Sequence, residues 1–181
     1  YCLYRYLCDT NQPYHLRNNN LVNSIEVNIS EQTLTLLDEQ NNRLAVYPVS
    51  TSKYGIGCQN GSEKTPRGLH RIKDMIGGAM PINEVFINRM PHGNLDECIE
   101  RGLDLPDDVI TSRIMWLEGM QPGVNQGGYV DTYQRYIYIH GTSEEDKIGQ
   151  PASIGCIRML NKDIVELYRQ VETGCEVNIL E

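Results

Sequence analysis

The chain has 181 residues, 40% of them hydrophobic and 22% charged, which suits one folded domain with a proper core and argues against disorder. A net charge of -8, with no Lys/Arg stripe, leaves no footprint for nucleic acid. No apolar run reaches the 18 residues that a membrane span needs, so no transmembrane segment is expected. The chain opens on Tyr1 rather than Met and reads as a mature or trimmed form from which any export signal is gone.

Residues 1–23 are polar, rich in Asn at Asn18, Asn19 and Asn20, and read as an N-terminal arm. From Ser24 the pattern turns strand-like. Ile25, Val27 and Ile29 alternate with Glu26 and Asn28, and Thr33 to Leu37 forms a second run. Asp38 to Asn42 supplies a turn and Arg43 to Ser50 a third strand, together an antiparallel meander. Gly55 to Gly68 holds four glycines and Pro66, the composition of a loop, before a strand at Leu69 to Ile72.

Between Asp74 and Gln134 the sequence is irregular and broken by Gly and Pro. It reads as a capping insertion of loops and short elements, with Val109 to Leu117 its clearest strand. Tyr136 to Ile139 is a short β-rich run that places His140 at a strand end. A polar loop, Ser143 to Gln150, follows, and its acidic run reads as a solvated face. Asn161 is suited to cap a helix whose apolar positions Ile164, Leu167, Tyr168 and Val171 share one side. Gly174 fits the helix stop, and Cys175 to Leu180 alternates as a closing strand.

The six cysteines, Cys2, Cys8, Cys58, Cys98, Cys156 and Cys175, contain no C-x-x-C pair, and no paired ligands stand at metal spacing. In an oxidising compartment Cys2 and Cys8 can close a small terminal loop. Cys58 has no nearby base and reads as a structural thiol or half of a disulfide. Cys156 differs, because a thiol becomes a nucleophile only beside a base that populates its thiolate, and His140 is the candidate. The two lie 16 positions apart, and a hairpin-like return would bring them together. Gly155 permits close backbone approach, and the amides of Gly155 and Cys156 are candidates for an oxyanion hole. His15, His70 and His92 lack partner motifs and read as surface or satisfied loop histidines. Trp116 is expected as half-buried surface near the site, with substrate contact as its other reading.

The segment Tyr136-Ile137-Tyr138-Ile139-His140-Gly141-Thr142, followed by Ile148-Gly149-Gln150-Pro151-Ala152-Ser153-Ile154-Gly155-Cys156-Ile157-Arg158-Met159, resembles the signature of L,D-transpeptidases of the YkuD family. Thr65-Pro66-Arg67-Gly68, the strand Thr111 to Leu117 and the terminal run Gly174 to Ile179 extend the resemblance over roughly residues 24–180. It implies a mainly β, α+β fold: a mixed β-sandwich with one helix near the C-terminus, forming a catalytic domain over 24–181 with a small capping insertion at 74–134. It implies Cys156 as nucleophile, His140 as base and the Gly141 carbonyl as the group that orients the imidazole. Ser153 and Arg158 are then expected to shape the substrate pocket, and Gly155 to belong to the oxyanion hole.

No cofactor and no metal are expected. The implied substrates are peptidoglycan stem peptides, with an envelope lipoprotein as an acceptor in some relatives, and the implied location is the periplasm or cell surface. Water as acceptor instead makes the enzyme an L,D-carboxypeptidase. One departure stands out: Ile154 occupies the position before Gly155-Cys156 where many members carry His. Three other readings compete: a silent wall-binding module, a zinc hydrolase, and an NlpC-type thiol peptidase, in which Cys ordinarily precedes His.

Overall fold

The computed structural model describes residues 23–181. The N-terminal arm and the Cys2–Cys8 pairing lie outside the described residues. The first strands are β1 (Ser24–Asn28), β2 (Thr33–Leu37) and β3 (Arg43–Ser50), an antiparallel meander as the alternation requires. Ile25 and Val27 point inward while Glu26 and Asn28 sit at the surface side, the period-2 pattern of a half-buried strand. The turn between β2 and β3 is held by Asp38, whose Oδ1 accepts from the amides of Gln40 at 2.9 Å and Asn42 at 2.8 Å.

Next come β4 (Gly68–Ile76), β5 (Glu84–Ile87), β6 (Met90–Asn94), the short helix α1 (Leu95–Glu100) and β7 (Ile110–Gly119). The chain ends with β8 (Tyr138–Thr142), β9 (Ile157–Met159), α2 (Asn161–Tyr168) and β10 (Glu176–Leu180). One sheet contains all ten strands, in the order β4-β10-β1-β2-β3-β9-β8-β7-β5-β6. Two of its pairings, β1–β10 and β8–β9, are parallel, so the sheet is mixed. A further pairing of β4 with β7 joins the two sides into a ring, and the β5–β6 hairpin branches from it.

The main core lies inside the ring. Ile25, Val27, Leu34, Leu36, Ile72, Met115, Leu117, Ile139, Ile157 and Val177 meet there, closed by Ile164 and Leu167 from α2. Each such side chain contributes about 1.5–3 kcal/mol by leaving water. The branch carries its own small core of Val85, Cys98 and Val109. Residues 74–134 are therefore not set apart from the ring: β7 is one of its staves, and the stretch that stands off is the β5–β6 hairpin with α1.

Three local expectations change. His140 is the third residue of β8 rather than a residue at its end, because the strand begins at Tyr138 after Tyr136 turns at φ 57°. The return to Cys156 is not a hairpin, since β8 and β9 run parallel. The connection first travels along the end of β3, where Gly149 donates to the Val49 carbonyl and Ala152 and Ser153 donate to Thr51, and only then enters the sheet between β3 and β8. Asn161 does not cap α2 with its side chain. Leu160 is the cap residue, and the Asn161 amide donates to Glu145 Oε1 at 2.5 Å.

Candidate active site

The β8–β9 pairing sets Ile139 beside Ile157 and His140 beside Arg158. Ile139 and Ile157 enter the main core, so their neighbours His140, Arg158 and Tyr138 turn to the opposite face, as strand alternation demands. Cys156 immediately precedes β9 and packs on that face with Tyr138, Phe86, Ile114 and Trp116. Gly155 has φ 134°, a backbone conformation that side chains disfavour, and a Cβ there would lie 3.2 Å from Ile137. That turn delivers the cysteine to the sheet.

The Cys156 Sγ accepts from the Tyr138 amide at 3.4 Å and donates to the Tyr136 carbonyl at 3.4 Å. Among the described residues no hydrogen bond joins it to His140. His140 is buried, and its Nδ1 lies 2.7 Å from the Gly141 carbonyl. A carbonyl only accepts, so Nδ1 carries the proton and Nε2 is left with the free lone pair that a base needs. Gly141 is held in turn: a Cβ on it would meet the Thr111 carbonyl and Asn161 Oδ1, each at 2.5 Å.

Burial depresses the His140 pKa, an effect partly offset by the Gly141 carbonyl. Burial pushes the Cys156 thiol up to about 12, against the Tyr138 amide and the charges of Arg135 and Arg158. Cys156 nevertheless keeps part of its surface open to solvent. Both shifts favour the uncharged forms, a thiol and a neutral imidazole.

Arg158 is 0% exposed and lies beneath the site rather than on its wall. Its Nη1 reaches Asp108 Oδ1 at 2.6 Å and Glu144 Oε2 at 2.8 Å, and its Nη2 donates to Ser50 Oγ at 3.4 Å. Glu144 also pairs with Lys147, so the acidic run is not merely a solvated face. Ser153, also buried, donates to the Cys156 carbonyl at 2.6 Å and accepts from the Gly155 amide at 3.2 Å. The Gly155 amide, expected to face an oxyanion, already has this acceptor. Both side chains are buried behind Cys156 and present no open surface beside it.

Asn161 is the residue that sequence reasoning missed. Its Oδ1 accepts from Thr111 Oγ1 and Ser112 Oγ, both at 2.6 Å, and its Nδ2 donates to the Thr142 carbonyl at 2.9 Å. It joins β7, β8 and α2 directly behind Gly141. Its position two residues beyond Met159 was the only signal, and helix-capping chemistry explained it without reference to the site. Thr65 was quoted as part of a motif but given no role. Its hydroxyl accepts from the Ser52 amide at 3.0 Å and donates to the Gly155 carbonyl at 3.0 Å, tying the Gly-rich loop to the nucleophile's turn.

Of the other singled-out residues, Trp116 packs beside Cys156, while His70 and the remaining described cysteines fall outside this arrangement. His70 is buried between the Gly68 carbonyl and Thr132 Oγ1. Among the described residues Cys58, Cys98 and Cys175 pair with no other cysteine. Trp116 stacks on Tyr133 at 4.1 Å and donates from Nε1 to the Tyr133 carbonyl. Among the described residues, no three of His, Cys, Asp and Glu converge as a ligand set, and no helix is long and apolar enough to cross a membrane.

Comparison with known proteins agrees with the geometry. The YkuD family, the L,D-transpeptidase catalytic domain, matches residues 23–179. The probable L,D-transpeptidase ErfK/SrfK of Escherichia coli K12 is 31% identical over 157 residues, covering 87% of this chain and 44% of that protein. The probable L,D-transpeptidase YcfS of the same organism is 28% identical over 159 residues, covering 86% and 43%. This chain thus spans less than half the length of these two relatives. Among solved structures, L,D-transpeptidase 3 from Mycobacterium tuberculosis superposes with a TM-score of 0.54 at 16% identity, covering 89% of this chain and 62% of that one. An L,D-transpeptidase from Mycobacterium smegmatis gives 0.52 at 17%, covering 89% and 59%. The fold is that of the L,D-transpeptidases, and the chain belongs to the YkuD family.

Proposed function

We propose that this chain is a peptidoglycan L,D-transpeptidase that works through an acyl-enzyme on Cys156. The observation that carries the reading is the held base: Nδ1 of His140 is tied to the Gly141 carbonyl, leaving Nε2 free on the face that bears the thiol. Attack by Sγ on the carbonyl before the terminal D-alanine of a stem tetrapeptide passes the thiol proton to His140. The C–N bond breaks, the imidazolium returns the proton to the departing amine, and D-alanine leaves a thioester behind.

An amine of a second stem then attacks the thioester, His140 takes its proton, and a 3-3 crosslink forms with the thiol restored. An envelope protein amine in the same place gives protein attachment. The neutral resting pair fits a cysteine that ionises only when a substrate closes the cleft. Membership of a cell-wall family fits action outside the cytoplasm, in the periplasm or at the cell surface.

With water as acceptor the same thioester gives L,D-carboxypeptidase activity, and the partly open thiol leaves room for that outcome. Incubation with a disaccharide tetrapeptide, followed by intact-mass spectrometry and chromatography of the products, tests the reading. Loss of D-alanine with a covalent adduct, absent in Cys156→Ala, supports it. A dimer identifies crosslinking and a tripeptide identifies hydrolysis. No adduct and no turnover across several stems would leave a silent wall-binding module.

A further inference from the structure

The β5–β6 hairpin turns on Asn88 and Arg89, both with positive φ, 52° and 67°. Such two-residue turns favour Asn and Gly, and an arginine in the left-handed region is disfavoured. The turn carries the Arg89 side chain to the aromatic residues of the active-site face. The Arg89 guanidinium lies 5.0 Å from the Trp116 ring and 5.3 Å from the Tyr136 ring, and its Nη1 donates to Tyr138 Oη at 3.2 Å. These partners are all uncharged. Among the described residues no carboxylate lies within ion-pair distance of Arg89, although the chain has 24 Asp and Glu against 16 Lys and Arg.

Tyr136 and Tyr138 are also the residues whose backbone holds the Cys156 thiol. Their main chain touches the nucleophile while their rings support the cation. Tyr138 thus meets the thiol at its amide and the guanidinium at its hydroxyl, beside an aromatic shelf that Trp116 extends by stacking on Tyr133. An aliphatic chain lies well on such a shelf, and a planar fork with unused N–H groups at its far end matches a carboxylate.

We infer that Arg89, with the shelf of Trp116, Tyr136 and Tyr138, is a subsite for a carboxylate of the donor peptide. The inference rests on the proposed acyl-enzyme reading. Two groups of a stem share this chemistry: a carboxylate at the far end of the third residue's side chain, and the C-terminal carboxylate of the leaving residue.

The test compares the protein with Arg89→Ala and Arg89→Lys on three disaccharide tetrapeptides. Their third residue is diaminopimelate, diaminopimelate amidated at its distal carboxylate, or lysine. A fourth donor carries diaminopimelate and a C-terminal amide. The free distal carboxylate is expected to raise kcat/KM at least about tenfold over the amidated and lysine donors, chiefly through KM. Arg89→Ala brings the ratio close to one, and Arg89→Lys restores only part of it, because an ammonium lacks the fork. If only the C-terminal amide loses the advantage, the leaving residue supplies the carboxylate. Equal losses on all four donors in Arg89→Ala overturn the inference.

A second arm does not require turnover. Cys156 is alkylated with 6-(bromoacetamido)hexanoate or with its amide, and modification is located by peptide mapping. The carboxylate-to-amide rate ratio is expected to fall at least about fivefold from the parent protein to Arg89→Ala, and the drop shrinks with added salt. An unchanged ratio overturns the subsite. A changed ratio with no turnover of any donor keeps the subsite and sinks the transpeptidase reading instead.

Discussion

Replacing Asn161 by Ala tests whether the active site is braced from behind. The amide makes three buried hydrogen bonds, from Thr111 and Ser112 at 2.6 Å each and to the Thr142 carbonyl at 2.9 Å. Each contributes about 1 kcal/mol net, and a buried group left without a partner costs about 1–3 kcal/mol. Ser112 Oγ keeps the Asn83 amide as a donor at 2.9 Å, so its lone pair stays engaged while its own proton loses an acceptor. The three bonds together amount to a loss of at least roughly 3 kcal/mol, a large part of the 5–15 kcal/mol that holds a domain of this kind together. Urea denaturation reads it as a lower midpoint at unchanged slope. Because Asn161 Oδ1 lies 2.5 Å from where a Gly141 Cβ would be, loosening it also frees the carbonyl against His140, and kcat is expected to fall about ten- to a hundredfold. A stability change under about 1 kcal/mol with unchanged kcat refutes the reasoning.

Four further outcomes are expected. The alkylation rate of Cys156 by iodoacetamide rises steadily with pH from about 6 to 10, because the folded thiol titrates near 12; a plateau with a midpoint below about 8 contradicts a neutral resting pair. His70, whose pKa burial lowers from 6.5 to about 4, makes the folded state refuse a proton that the unfolded chain accepts. Stability therefore declines as pH falls through that window, by roughly 3 kcal/mol, and the decline is absent in His70→Gln; parallel pH profiles of the two proteins contradict this. Gly155→Ala forces a side chain into φ 134° and toward Ile137, so it lowers the melting temperature and abolishes adduct formation on Cys156, with a normally acylating variant as the contrary result. Thr65→Val removes the bonds to the Ser52 amide and the Gly155 carbonyl but keeps the shape. It costs about 1–2 kcal/mol in denaturation, and no measurable loss means the loop is held by other contacts.

Much of the fold was legible in local pattern. Ile25 to Ile29 alternates because one face of β1 is buried, Thr33 to Leu37 is a β-rich run whose centre is buried, and the Asp38 turn is written in a side chain that bonds its neighbours' backbone. Ile164 and Leu167 fall on one side of α2 because a helix repeats every 3.6 residues, and both reach the core. Cys156 and His140 were legible for another reason: a thiol and an imidazole in that surrounding motif have few other uses. The Gly141 carbonyl was named from the family resemblance, and the structure holds it against Nδ1.

What pairs with what across the chain was not legible. The 16-position gap from His140 to Cys156 is compatible with a hairpin, and only the hydrogen bonds of Gly149, Ala152 and Ser153 to the end of β3 make the return parallel. Asn161 looked like a cap because capping is what its side chain does beside a helix start, whereas β7 offered it two buried hydroxyls some 50 residues away. Arg158 looked like a pocket wall until Asp108 and Glu144, from two different loops, enclosed it. Arg89 carried no signal at all, since a cation in an irregular stretch is ordinarily solvated. Period and turn chemistry are properties of neighbours in sequence, so the sequence alone determined them; the partners of buried polar groups are chosen by the closure of the sheet, so only the tertiary structure decided those.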